Sequence, residues 1–157
     1  MNTHQTPFPS PVTLHVGSWA ALGKDASAVR AAVFIIEQGI PQEMEWDEAD
    51  ARCTHAVAYN PLGLAVGTGR LLPSDHDHTP GVGRIGRMAV SKDVRGTGVG
   101  RGILQTLLQA AKVRGDHEVL LHAQTSAEHF YALLGFVPRG PVFDEAGIAH
   151  QEMFIRL

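Results

Sequence analysis

The chain has 157 residues, 44% hydrophobic and 18% charged, which is enough apolar material for one domain with a substantial core. Its formal net charge of -3 lacks the basic excess of a nucleic-acid-binding surface, so small ligands or proteins are the expected partners. No run approaches about 18 apolar residues, so no membrane span is predicted.

The N-terminal stretch MNTHQTPFPSP has neither the basic region nor the apolar region of a secretory signal. We therefore predict a mobile leader over residues 1–11 and a single domain over 12–157. The one cysteine, Cys53, cannot form an internal disulfide, and this favours a cytoplasmic location.

The first predicted elements are a strand, VTLHV at 12–16, and a helix over 25–38 that opens on Asp25 as N-cap and stops before Gly39. Residues 42–52, with five carboxylates, indicate a loop or a broken helix. Strands at 54–60 and 64–72 follow, joined by Asn60-Pro61-Leu62-Gly63, and then a strand at 82–90. Such short connections imply antiparallel pairing.

The second half begins with an amphipathic helix from Val99 to about Gly115 and a buried strand at 118–124. The segment Thr125-Ser126-Ala127-Glu128 has the pattern of a capping box and predicts a short helix that Gly135 ends. The tail predicts two strands around Glu145-Ala146-Gly147. This order indicates an α/β fold with a mixed, mainly antiparallel sheet flanked by helices on both faces.

The stretch VRGTGVGRGIL at 94–104 has three functional interpretations besides that of a flexible loop. A Walker A loop is excluded because Arg101 and Gly102 follow Gly100 in place of Lys and Ser or Thr. A dinucleotide fingerprint is excluded because Ile103 occupies the place of the third glycine. The interpretation that remains is an anion site of backbone N–H groups at a helix N-terminus.

The segment Arg95–Gly100 matches the R/Q-x-x-G-x-G signature of the GNAT N-acetyltransferase superfamily, and it follows a strand at 87–90 as in that family. Residues 130–136, FYALLGF, resemble the family's FYxxLGF segment, and the element order agrees from about Val12 onward. Residues 32–38 and His122-Ala123-Gln124 resemble the ElaA-like branch.

This resemblance implies that acetyl-CoA is the acetyl donor. It places the pyrophosphate on the loop residues Arg95, Gly96, Thr97, Gly98, Val99, Gly100 and Arg101. It also implies that the main chain of Met88, Ala89 and Val90 pairs with the pantetheine arm, and that Gln124, where many relatives carry Asn, contacts the cofactor.

Tyr131 occupies the family's tyrosine position, where a phenol with an ordinary pKa near 10 can protonate the departing thiolate. The alternative is a core aromatic on a short helix. The general base is sought among the acidic residues in or after the first helix, a region that borders the acceptor pocket in the family. Glu37 and Glu43 are the preferred candidates, with Gln38 as a substrate contact; the alternative is a solvated acidic loop.

Arg87 is predicted to bind an acceptor carboxylate or phosphate, with an ordinary ion pair as the alternative. It shares a face with Arg84 only if the strand is irregular at Gly86. His122 is interpreted as a core histidine. The tract Asp75-His76-Asp77-His78 resembles a metal site but has the composition of a surface loop, so no metal is predicted.

The sequence thus predicts transfer of an acetyl group from acetyl-CoA to a primary amine of a small molecule or peptide. The alternative is a catalytically weak acyl-CoA-binding domain with a regulatory or interaction role. A homodimer is the default expectation for an enzyme of this size.

Overall fold

The structure, a computed structural model, describes residues 12–76 and 79–157. The leader predicted over 1–11 lies outside the described residues, as do Asp77 and His78 of the Asp/His tract. Within the described ranges no helix has the length and apolar character that crossing a membrane requires.

The described strands form one eight-stranded sheet in the order β1-β2-β3-β4-β5-β8-β6, with β7 also paired to β8. Their bounds are β1 Thr13–Gly17, β2 Thr54–Tyr59, β3 Ala65–Leu71, β4 Val82–Val90, β5 Glu118–Gln124, β6 Val137–Pro138, β7 Phe143–Glu145 and β8 Ile148–Arg156. Among the described strands only β4 and β5 pair in parallel, and every other neighbouring pair is antiparallel. The predicted mixed, mainly antiparallel sheet is confirmed.

The first helix, α1 at Trp19–Arg30, starts earlier than predicted. Its N-cap is Ser18, whose Oγ accepts a hydrogen bond from the Ala21 amide at 3.3 Å. The prediction of Asp25 as N-cap is wrong, because Leu22 extends the buried stripe one turn before it. Asp25 instead accepts a hydrogen bond from the Tyr59 hydroxyl at 2.6 Å.

The chain continues from α1 into a π-helix, Ala31–Glu37, whose wider turn is evident in the bond from the Gln38 amide to the Val33 carbonyl, 3.0 Å long. A short helix, α2 at Gln42–Glu45, and a 3-10 turn, Glu48–Arg52, follow. The broken-helix interpretation of residues 42–52 is therefore confirmed.

Two helices belong to the second half, α3 at Val99–Val113 and α4 at Glu128–Leu133. The predicted capping box is wrong: a 3-10 turn, Thr125–Ala127, precedes α4, and no side chain caps this helix. Gly135, with a φ of +99°, ends it as predicted. The last hairpin has a two-residue loop, because Glu145 pairs with Ile148 and the residues between them have φ values of +56° and +78°.

Helices cover both faces of the sheet. The stripe of α1 with Leu22 and Ala26 packs on Val57, and the stripe of α3 with Ile103 and Leu107 packs with Ala56 on the opposite face. This arrangement follows from the alternation of side chains along β2. The sheet is thus buried between helices, and a site can form where its strand pairing is irregular.

Candidate active site

The sheet is irregular at two neighbouring points. The pairing of β4 with β5 runs only from Val82–Glu118 to Ile85–Leu121, and beyond it the two strands separate. In addition, β3 pairs through Thr68–Ala89 and Arg70–Gly86, so Arg87 and Met88 together oppose Gly69 in a β-bulge. Two cavities lie beside this split, and Met88 and Tyr131 line both of them.

The loop cavity, of about 440 Å³, lies beside the glycine stretch and the N-terminus of α3. It contains most of the predicted cofactor residues: Met88, Ala89, Val90, Arg95, Gly96, Gly98, Gly100, Arg101 and Tyr131. Val94, Ala127 and Phe130 also line it. The structure therefore brings the predicted donor residues of strand, loop and tyrosine helix together.

The glycines keep the loop cavity open. Gly98, the N-cap of α3, has a φ of +95°, which favours glycine, and no side chain caps the helix there. A Cβ on Gly100 would lie 3.3 Å from Cζ of Phe130 and 3.4 Å from Cγ2 of Val90. Because the first N–H groups of a helix have no intrahelical partner, this end of α3 can bind an anion.

Arg95 lines the loop cavity and is held by two groups. Its Nε donates to the Val90 carbonyl at 2.9 Å, and its Nη atoms donate to the Glu37 carboxylate at 2.6 and 2.7 Å. The hydrogen bonds from Arg95 lower the pKa of Glu37. Glu37 is therefore a weak proton acceptor in this arrangement.

Three predicted cofactor residues do not line the loop cavity. The Thr97 hydroxyl donates to the Val94 carbonyl at 2.5 Å, and Val99 belongs to the buried face of α3. Gln124 lines the second cavity instead, where its amide forms a reciprocal pair with that of Gln38, with distances of 2.9 and 3.2 Å. Thr97 and Val99 thus support the conformation of the loop without lining the cavity.

The sheet cavity, of about 450 Å³, lies between the split strands, α2 and the β7–β8 hairpin. Apolar side chains form part of it: Phe34, Ile40, Met44, Leu72 and Ile85. The charged and histidine side chains that line it are Glu45, Asp47, Arg70, His76, Arg84, Arg87, His122, Glu145 and His150. It can therefore recognise a polar ligand through charge as well as shape.

Arg84 and Arg87 both reach the sheet cavity because the strand is irregular. Arg87 has a φ of +50°, directly after Gly86, so the bulge changes the alternation of side chains at the predicted position. Arg87 donates to the Glu45 carbonyl at 3.2 Å and lies 3.4 Å from the Asp47 carboxylate. Burial lowers the pKa of Arg87, and the nearby Arg70 guanidinium adds to this.

A buried ion network forms the wall behind Arg87. Arg30, only 1% exposed, bonds both oxygens of Glu45 and of Asp50 at 2.8 to 3.1 Å. Arg70 bonds Asp47 and Asp50 at 2.7 Å, and its hydrogen bonds hold the pKa of Asp47 down at about 2. The network fixes α2 and the following turn against β3.

Tyr131 is 7% exposed and packs edge-on against Phe130 and Phe136. Burial raises its pKa to about 12, so the phenol stays protonated at neutral pH. Within the described residues its hydroxyl has no hydrogen-bond partner. Tyr131 is therefore a core aromatic residue, as in the alternative interpretation. It also lines both cavities, and its phenol carries a proton that it can donate.

Two histidines face the sheet cavity from β5 and β8. His122 was expected in the core, but its side chain is 22% exposed, and its Nδ1 accepts a hydrogen bond from Nη2 of Arg84 at 3.0 Å. His150 donates from Nδ1 to the Ile148 carbonyl at 2.7 Å, which leaves Nε2 3.9 Å from Oε2 of Glu145. The neutral His150 ring thus carries its lone pair on Nε2.

The predicted bases lie elsewhere. Neither Glu37 nor Glu43 lines the sheet cavity, and Gln38 reaches it only through its pair with Gln124. Arg87 does line the cavity, so its predicted substrate contact stays open. Among the described residues no group of three or more His, Cys, Asp or Glu side chains is arranged to hold a metal ion.

Several lining residues were missed from the sequence. Arg70 lies inside an apolar strand, and Glu145 and His150 belong to a tail interpreted only as a hairpin. The available signal was the two-residue turn, which pairs Phe143 with His150 and so places Glu145 and His150 on one face. Phe130 could have been found as the neighbour of Tyr131.

An anion-binding loop beside a split, mixed sheet is the arrangement of acyl-CoA N-acyltransferases. The chain resembles an acyl-CoA N-acyltransferase from Pseudomonas aeruginosa with a TM-score of 0.80 and 29% identity, covering 92% of this chain and 99% of that one. It resembles Escherichia coli ElaA with a TM-score of 0.81 and 28% identity, covering 92% and 99%.

Residues 23–157 match the acetyltransferase (GNAT) domain family. The uncharacterized N-acetyltransferase YjcF of Bacillus subtilis is 39% identical over 131 residues, which is 83% of this chain and 89% of that protein. The protein ElaA of Escherichia coli strain K12 is 36% identical over 124 residues, 78% of this chain and 79% of that protein. The chain belongs to the GNAT acetyltransferase family and is an acyltransferase.

Proposed function

We propose that the protein transfers an acetyl group from acetyl-CoA to the primary amine of a small molecule or peptide, by direct attack of the amine on the thioester. One observation carries this proposal: Met88 and Tyr131 line both cavities. A donor in the loop cavity and an acceptor in the sheet cavity would meet at these two residues.

The donor would be held by the loop cavity. The N–H groups at the start of α3, with Arg95 and Arg101, would bind the pyrophosphate of acetyl-CoA. Beyond Ile85 the main chain of β4 is no longer paired with β5, which leaves the edge of Met88, Ala89 and Val90 available for the pantetheine amides. Arg95 would exchange its contact with Glu37 for phosphate oxygens.

Two side chains would move the protons. Tyr131 would donate to the departing thiolate, since burial keeps its phenol protonated. His150 would accept the amine proton at Nε2, because its Nδ1 proton is held by the Ile148 carbonyl and Glu145 stabilises the resulting imidazolium. We assign this role to His150 in preference to Glu37 and Glu43, which do not line the sheet cavity.

Tyr131→Phe tests the mechanism while retaining the ring that packs in the core. We expect turnover to fall by about 100-fold or more, since general acid catalysis contributes on that order. CoA affinity should stay within about threefold of the parent, because no phosphate contact is changed. Thiol release measures turnover and isothermal titration measures binding; unchanged turnover would remove Tyr131 as the acid.

A regulatory acyl-CoA-binding domain is the competing outcome. It would bind CoA yet release no thiol above background with any member of a broad panel of amines, amino sugars and peptides. A cytoplasmic location and a homodimer complete the proposal. The first is supported by the lone Cys53, which cannot form an internal disulfide.

A further inference from the structure

Three arginines among the described residues line the sheet cavity, and two of them are already neutralised by carboxylates. Both Nη groups of the Arg70 guanidinium are occupied by Asp47 and Asp50 at 2.7 Å. Arg87 is bound by the main chain of Glu45 and lies 3.4 Å from both the Glu45 and the Asp47 carboxylates. The charge of each guanidinium is therefore already balanced by carboxylates, although the buried Nε of Arg70 has no hydrogen-bond partner among the described residues.

Arg84 differs from both. Its described partner is the imidazole of His122, which accepts from Nη2 at 3.0 Å, and no carboxylate of the described residues lies within 4.0 Å of it. An arginine can only donate hydrogen bonds, so Nδ1 of His122 is the acceptor in this contact. The bond therefore orients the guanidinium and leaves its charge and its other N–H groups available to a ligand.

A complementary pair of groups lies near the same ring nitrogen of His122. Glu145, whose side chain is 46% exposed, has Oε1 3.7 Å from the same Nδ1 and Oε2 3.9 Å from Nε2 of His150. A carboxylate and an imidazole base can receive an ammonium group and take its proton. The cavity thus offers an anion site at Arg84 and an amine site at Glu145 and His150, with Nδ1 of His122 near both Arg84 and Glu145.

We propose that the acceptor is an amino acid, or a similar small amine that carries a carboxylate, with its carboxylate on Arg84 and its amine beside Glu145 and His150. This inference rests on the proposed function and names its substrate class. A guanidinium also binds phosphate, but the cavity lining holds three carboxylates, Glu45, Asp47 and Glu145, against its three arginines. That balance favours a monoanion over a phosphate dianion.

Matched substrate pairs test the proposal. The free L-amino acids are compared with their carboxamides, which keep the amine and the side chain and lose the negative charge. For the amino acid that the enzyme uses best, we expect kcat/KM to be roughly 10- to 100-fold higher for the acid than for its carboxamide. A hydrogen bond to a charged group contributes an effect of this size. Arg84→Met should remove that preference, and Arg84→Lys, which keeps the charge without the fork, should restore part of it.

The matched control is Arg52→Met, a surface arginine that is 63% exposed and lies outside both cavities. It should keep the full preference for the acid. Titration of the amino acids into the CoA complex supplies a readout that needs no turnover, and the preferred acid should bind wild type and not Arg84→Met.

The outcomes separate this inference from the proposed function. Two results would overturn the amino-acid assignment and leave acetyl transfer intact. In the first, amines are acetylated with no preference for the acid in any pair. In the second, the preference for the acid survives in Arg84→Met. Thiol release with none of the amines would refute the proposed function, and binding of an acid through Arg84 would then still support the site.

Discussion

Both tyrosines of the chain have phenols that resist ionisation. Burial raises the pKa of Tyr131 to about 12, and burial together with the hydrogen bond to Asp25 raises that of Tyr59 to about 12. The two tyrosines differ in function. Tyr59 ties β2 to α1, whereas Tyr131 keeps its proton at the junction of the two cavities, where acyl transfer needs a donor.

Ultraviolet titration of the folded protein checks these values directly. At pH 11, where an exposed phenol with a pKa near 10 is ionised, we expect little tyrosinate absorbance from either residue. Because both folded-state pKa values lie above the unfolded value, their contribution to stability is complete below pH 10. It is lost between pH 10 and 12, at about 1.4 kcal/mol per pH unit for the buried Tyr131 and at less for the partly exposed Tyr59, whose interactions solvent screens.

A tyrosinate signal with a midpoint near pH 10 in the still folded protein would contradict this description. The Tyr131→Phe variant supplies the control, since it leaves Tyr59 as the only phenol of the chain. The difference between the two titrations therefore isolates Tyr131.

At the level of single residues, the sequence predicts what a local motif fixes. Gly98, Gly100 and Tyr131 were found because the cofactor loop and the tyrosine helix are short continuous segments. Arg84 and His150 were not assigned to a joint site because their meeting depends on the register of β4, β5 and β8, which is set by contacts far apart in the chain.

Among the elements, α2 is held by charge rather than by apolar burial, because its one buried residue is Glu45. Arg30 at the end of α1 holds α2 through Glu45 and the following turn through Asp50, and its guanidinium lies 4.9 Å from the Trp46 ring centroid. Ion pairs with Arg30 therefore hold α2, which lines the sheet cavity, against the core.

Arg30→Met should be severely destabilising. Removing the arginine leaves Glu45 buried without a cationic partner of comparable geometry, and breaking such a pair costs about 3 to 5 kcal/mol. Urea unfolding measures the loss. Arg52→Met, which breaks an exposed pair with Asp75, should change the free energy of unfolding by no more than about 0.5 kcal/mol.

If the two substitutions have equal effects, the network does not carry the stability assigned to it. The same measurement on Arg30→Lys would show whether a point charge suffices or the planar fork is required. The fork makes four bonds to two carboxylates, so we expect the lysine variant to recover little.

The elements themselves were mostly predictable, because periodicity and turn residues are local. The errors fall where two signals competed: Ser18 and Asp25 are both good N-cap residues, and burial of the preceding turn decided for Ser18. The seven residues of the π-helix have no distinct sequence pattern. The bulge at Arg87 was predicted only as the condition under which Arg84 and Arg87 would share a face.

For the whole molecule, the short β4–β5 pairing makes the sheet two halves joined over four residue pairs. A ligand that fills the loop cavity contacts both, since Val90 belongs to the first half and Phe130 to the second. Binding of CoA should therefore stabilise the fold as a unit.

At a CoA concentration of 100 times Kd, we expect the free energy of unfolding to rise by about 2.7 kcal/mol, as binding to the folded state alone requires. Gly100→Leu should abolish this rise, because its side chain would occupy the space beside Phe130 and Val90. Gly102→Ala, two residues further along α3 and outside the loop cavity's lining, should retain it. A rise that persists in Gly100→Leu would place CoA elsewhere.

The two-residue loop of the β7–β8 hairpin sets a constraint of length. Glu145 and His150 share a face only because Glu145 pairs with Ile148 and Phe143 with His150. One inserted or deleted residue in that loop would turn one of the two side chains to the opposite face of the sheet. Among relatives, the spacing between this acid and this histidine should therefore vary less than the identity of the residues between them.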